Sequence, residues 1–109
     1  MSLLLDTQAL LWALSGDERL SHTATVAYES ASGGLFSLVS LWEIGIKLGL
    51  RRHDFALAEG WERRIPRELL RLGFSRIDVE PRHCRMVAEL PLHHRDPFDR
   101  MLVAQAISE

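Results

Sequence analysis

The feature that most restricts this chain is an alternation. Three short apolar runs, Leu3-Leu4-Leu5, Leu35-Phe36-Ser37-Leu38-Val39 and the run opening at Phe74, are each followed by helical patterning. Runs this short and apolar read as strands covered on both faces, and strand–helix alternation requires crossover connections, hence a parallel sheet between layers of helix. Leu10, Leu11 and Leu14 predict a helix over Thr7–Leu14, stopped by Ser15-Gly16-Asp17. Ser21 is the N-cap of a helix running to about Ser32, and Gly33-Gly34 breaks it. Ser40 opens a helix with Leu41, Ile44 and Leu48 on one face, closed near Gly49. Residues 54–60 read as a loop. A helix over Trp61–Leu72 contains Pro66, which predicts a kink or a restart, and Gly73 stops it. Phe74–Val79 is the third strand, Pro81 sits at N1 of a helix over 81–90, and Asp96-Pro97 opens a last helix reaching the chain end. The expected order is β-α-α-β-α-α-β-α-α, a three-layer α/β/α sandwich in a single domain over residues 1–109.

Composition excludes several classes. With 47% hydrophobic and 26% charged residues the chain is not a disordered one. No apolar run approaches the roughly 20 residues of a membrane span. Asp6 interrupts the N-terminal leucines and no basic segment precedes them, so the start does not read as a secretory signal. A single cysteine, Cys84, rules out an internal disulfide and a cysteine-cluster metal site, and fits a reducing, cytoplasmic setting. Net charge is −2, unevenly spread: residues 51–95 hold ten arginines against seven acids, whereas residues 1–50 and 96–109 are net acidic. An acidic pocket beside an Arg-rich rim suits a metal-dependent enzyme acting on nucleic acid. A solvated helix face with pairs such as Arg64–Glu68 is the plainer account.

Four acids stand out by position. Asp6 ends the first strand, where parallel sheets place their sites. Glu43 lies near the start of the helix after the second strand, and Asp96 and Asp99 open the last helix. Brought together, such carboxylates repel unless a cation joins them, and oxygen-only ligands favour Mg²⁺ or Mn²⁺ over zinc. Each acid also has a plainer explanation. Ser40-Leu41-Trp42-Glu43 is an S-x-x-E capping box, Asp96-Pro97-Phe98-Asp99 is a good helix start, and Asp6 caps if a helix begins at Thr7. His93-His94 read as loop histidines and Cys84 as a small buried residue. Trp12, Trp42 and Trp61 read as core or interface.

Three blocks, Leu4-Leu5-Asp6-Thr7-Gln8-Ala9-Leu10-Leu11-Trp12, Ser40-Leu41-Trp42-Glu43-Ile44-Gly45-Ile46-Lys47 and residues Pro91 to Ala106 around Asp96-Pro97-Phe98-Asp99-Arg100, resemble the PIN-domain family, and within it the VapC-like toxins of bacterial toxin–antitoxin pairs. The resemblance implies a parallel-sheet sandwich, an Mg²⁺- or Mn²⁺-dependent endoribonuclease, an antitoxin partner and a homodimer. It assigns Asp6, Glu43 and Asp99 as catalytic metal ligands, with Asp96 as an outer ligand or only a cap, and Lys47 as a partner of Glu43 or of RNA. Such domains continue into a further strand carrying a fourth acid, so the chain is expected to be a C-terminally shortened form that binds metal weakly and covers the free edge of its first strand with another copy or a partner. The competing expectation is a PIN-like binding module without competent chemistry.

Overall fold

The computed structural model describes residues 3–15, 34–51, 55–91 and 96–109. Three parallel strands are flanked by five helices among these residues: β1 (Leu3–Leu4), α1 (Thr7–Ser15), β2 (Gly34–Ser37), α2 (Leu38–Leu50), α3 (Trp61–Arg71), β3 (Phe74–Ile77), α4 (Pro81–Glu89) and α5 (Pro97–Ser108). This is the expected mixed α/β sandwich. The sheet order is β1-β2-β3, with Leu3 opposite Gly34 and Gly34 opposite Phe74. A bond from Leu5 N to Leu35 O, 2.9 Å, extends the first pairing by one residue. The helix expected from Ser21 to Ser32 and the His93-His94 pair lie outside the described residues.

One hydrophobic cluster joins the sheet to the first three helices: Leu5, Phe36 and Phe74 from the strands or their ends, Leu10 from α1, Leu41 and Ile44 from α2, and Ile65 and Leu69 from α3. Trp12 and Trp61 are half-buried against it. Leu69 is fully buried, and Leu69→Ala is expected to cost about 2–5 kcal/mol, read by urea unfolding. His83 of α4 and Leu102, Ala104 and Gln105 of α5 are also buried, and α5 packs on α4, α2 and β1. The Arg100 guanidinium donates to the carbonyls of Val87 and Pro91, both at 2.9 Å, and so caps the end of α4 from α5.

The expected boundaries shift in four places. The second strand ends at Ser37, because its hydroxyl accepts the Val39 N–H at 3.1 Å and starts α2 at Leu38. Ser40 therefore lies inside the helix and makes no capping box with Glu43. The same helix passes through Gly49, and Arg51 takes the left-handed terminating conformation, φ 55°. Pro66 is carried within one continuous α3. Pro66 is the sixth of its eleven residues, and its missing N–H removes one bond of the helical ladder, the one the Glu62 carbonyl would accept. The third strand stops at Ile77. Gly73, at φ 98°, does stop α3 as its position suggests. Cys84 is exposed, correcting the expectation of a buried thiol.

Candidate active site

Helix α1 begins at Thr7, so Asp6 takes the capping duty open to it. Its Oδ1 accepts the Ala9 N–H at 2.7 Å, while its backbone carbonyl accepts from Leu10. The carboxylate remains exposed at the carboxyl end of the strand. Thr7, the next residue, is buried and points toward α2. Its hydroxyl donates to Glu43 Oε1 at 2.6 Å and lies 3.1 Å from Ser40 Oγ. A hydroxyl has one proton. With the Thr7 proton given to the acceptor-only carboxylate, Ser40 supplies the proton of the second contact.

Glu43 is only 6% exposed and has no helix end to cap. Its other oxygen pairs with Lys47 Nζ at 2.7 Å, one turn on. A buried carboxylate without a cation would be costly, and Lys47, itself about half exposed, supplies that cation. The Glu43 hydrogen bond raises the Lys47 pKa above its usual 10.5, with the charges of Glu43, Asp96 and Asp99 adding to the rise. The stability from this pairing is fully present below 10.5 and is lost only as pH rises through the higher folded value. Lys47 therefore keeps its charge throughout the physiological range.

The start of α5 meets α2 through Phe98 and Trp42, the residue before Glu43. Asp96 is the N-cap of α5, its Oδ1 accepting from Phe98 N at 2.8 Å and Asp99 N at 3.2 Å. Asp99 is exposed in the first turn. The Phe98 ring meets Trp42 edge-on, centroids 5.0 Å apart. Trp42 is 62% exposed, so it is a surface residue of this contact and no core residue.

The fold thus brings Glu43, Lys47 and the start of α5 together, and ties them to the end of β1 through Thr7. Asp6, Glu43, Asp96 and Asp99 nonetheless do not present three ligand atoms within 4.8 Å of one another. The set that does, among the described residues, is Glu80, His83 and Glu109. Sequence reading missed this second cluster, because Glu109 lies 26 residues or more from His83 and Glu80 and reaches them across the α4–α5 contact. It already holds a cation. Arg82 pairs with Glu80 at 2.8 Å and also with Glu109. His83 Nδ1 accepts the Glu80 N–H at 2.9 Å, which leaves the proton on Nε2, 3.2 Å from Glu109. Both ring nitrogens are thereby engaged. Arg82 hydrogen bonding also lowers the Glu80 pKa, and that contribution to stability is present above pH 4.5 and fades as pH falls through the depressed value.

The PIN-domain family model matches residues 3–109, and the chain belongs to that family. Its fold is that of metal-dependent nucleases acting on RNA or DNA. No individual protein of curated function and no solved structure matched the chain. No helix among the described residues is long and apolar enough to cross a membrane.

Proposed function

We propose that the chain is an endoribonuclease toxin of a toxin–antitoxin pair, with Asp6, Glu43 and Asp99 as the ligands of an Mg²⁺ or Mn²⁺ ion and Asp96 beside them. The observation that carries this reading is Glu43: a buried carboxylate with no capping role, held in place by Thr7 and paired with Lys47. The donor set fits the ion, because it consists of carboxylate oxygens. Bound there, the ion would lower the pKa of a water and stabilise charge on a phosphoryl oxygen. The chain's own residues do the rest. Thr7 fixes the orientation of Glu43. Lys47 pairs with that carboxylate until a metal takes its place, and then stands free to meet an RNA phosphate. Asp6 and Asp99 offer exposed oxygens on two other elements.

Two open grooves along α1 support a protein partner. One, of about 400 Å³, is lined by Leu11, Trp12, Phe55 and Leu57. The other, of about 320 Å³, runs past Leu14, Trp61 and Ile65 with Arg64 and Arg67 at its rim. An apolar floor with an arginine rim suits an amphipathic antitoxin helix carrying acids. Exposed Trp42 and Leu50 on α2 give the surface for a homodimer. One exposed thiol suits a reducing cytoplasm.

A second reading, a PIN-like module that binds its partner without cleaving, is favoured by the present engagement of Asp6 and Asp96 as caps and of Glu43 with Lys47. One assay separates the two. Purified protein is expected to cleave mixed RNA with Mn²⁺ and to stop with EDTA. Intact RNA at every metal concentration, with an antitoxin still bound, would establish the module instead.

A further inference from the structure

The two helices that carry Glu43 and Asp99 are joined by a polar contact that is wholly buried. Ser37, at the N-cap of α2, and Gln105, on α5, are both 0% exposed. The Ser37 hydroxyl accepts from Val39 N and donates to Gln105 Oε1 at 2.5 Å. Gln105 Nε2 donates to the Asp78 carbonyl, 3.2 Å away, just past β3. The amide orientation is therefore fixed at both ends: its oxygen must face the one hydroxyl proton and its nitrogen the carbonyl.

A second contact lies further along the same pair of helices. From Ser37 to Trp42 the chain runs forward, and from Gln105 to Phe98 it runs backward, yet Trp42 and Phe98 meet. The helices are thus antiparallel neighbours with Ser37–Gln105 at one end of the contact and Trp42–Phe98 at the other. Glu43 and Asp99 lie just beside the aromatic pair. Each is six residues from its pinned partner, about 9 Å along its helix. An aromatic edge contact that is largely exposed tolerates sliding and rotation. A buried hydrogen bond does not, because a small displacement leaves a hydroxyl and an amide unpaired.

We infer that Gln105 is a positioning residue for the carboxylates, setting the stagger and rotation of α5 against α2 through its hydrogen bond to Ser37. The inference rests on the reading of Glu43 and Asp99 as metal ligands. Gln105 touches neither of them. It acts through the rigid helix between itself and Asp99, and Ser37 acts likewise toward Glu43.

The test compares Gln105→Met, which keeps the side-chain length and removes the hydrogen bonds to Ser37 and Asp78 together with the 3.5 Å contact to His83 Nδ1, with Leu69→Ala, which destabilises the core cluster on α3. Mn²⁺ affinity is measured by calorimetry, and the nuclear Overhauser contacts between the Trp42 and Phe98 rings are measured in metal-free protein. Gln105→Met is expected to weaken Mn²⁺ binding at least about tenfold and to lose the ring contacts. Leu69→Ala should stay within about twofold of wild type and keep them. Ser37→Ala is expected to behave as Gln105→Met does, and stands in for it if the methionine variant fails to fold. Ser37→Thr, which retains the hydroxyl, should preserve affinity. Unchanged Mn²⁺ affinity and ring contacts in both Gln105→Met and Ser37→Ala would overturn the inference. If wild-type protein binds no Mn²⁺, the ligand reading has failed. The ring contacts then decide the positioning role alone: persistence in Gln105→Met overturns it, and selective loss upholds it.

Discussion

Glu43→Gln is expected to reduce metal-dependent RNA cleavage by at least about 100-fold while lowering stability by only about 1 kcal/mol. The two effects separate because the structure gives Glu43 no helix terminus to serve. Glutamine keeps an oxygen that can accept from Thr7, so the contact at 2.6 Å survives. What is lost is the charge. The pair with half-exposed Lys47 is worth about 0–1 kcal/mol, and the new amide group next to the ammonium adds a similar amount. Loss of a ligand charge acts on chemistry far more strongly, since it weakens both metal binding and the activation of water. Urea unfolding and a cleavage time course on one preparation give both numbers. A variant that cleaves normally yet unfolds several kcal/mol earlier would make Glu43 a structural residue and end its assignment as a ligand.

The local signals in the sequence were sufficient wherever the deciding partner is also local. Gly73 stops α3 because a left-handed residue is needed there, and Asp96-Pro97 starts α5 because cap and first turn are adjacent. Asp6 illustrates the same point: once α1 begins at Thr7, the capping bond to Ala9 follows. The serines around β2 show where such reading ends. Both Ser37 and Ser40 are plausible caps, and the S-x-x-E spacing favours Ser40. Ser37 prevails because it closes the strand opposite Ile77 and finds a buried partner, Gln105, 68 residues away. No window of sequence contains that information. The burial of Glu43 is hidden for the same reason, because Thr7 reaches it from 36 residues upstream. The Arg82-centred cluster likewise depends on how α4 meets the end of α5. Cys84 differs. Its expected burial rested on residue type alone, and the helix simply presents it outward.

Asp6→Asn should abolish cleavage with almost no cost to the fold, and it is the sharper of the two substitutions because the replacement keeps the structural role. Asparagine is as good an N-cap as aspartate, so its side-chain oxygen can still take the Ala9 N–H and hold the start of α1. Asp6→Ala removes that bond as well and should cost about 0.5–2 kcal/mol. Cleavage is expected to fall at least about 100-fold in both variants, whereas only the alanine variant should melt earlier. Metal-linked stability supplies a check that does not depend on substrate. A ligand that binds only the folded state stabilises it by about 2.7 kcal/mol at a concentration 100 times its Kd. Titrating Mn²⁺ should therefore raise the wild-type Tm steadily and leave that of Asp6→Asn nearly flat. If Asp6→Asn gains as much from Mn²⁺ as wild type does and goes on cleaving, Asp6 is only the cap of α1, and the ion must be sought around Glu43 and Asp99 without it.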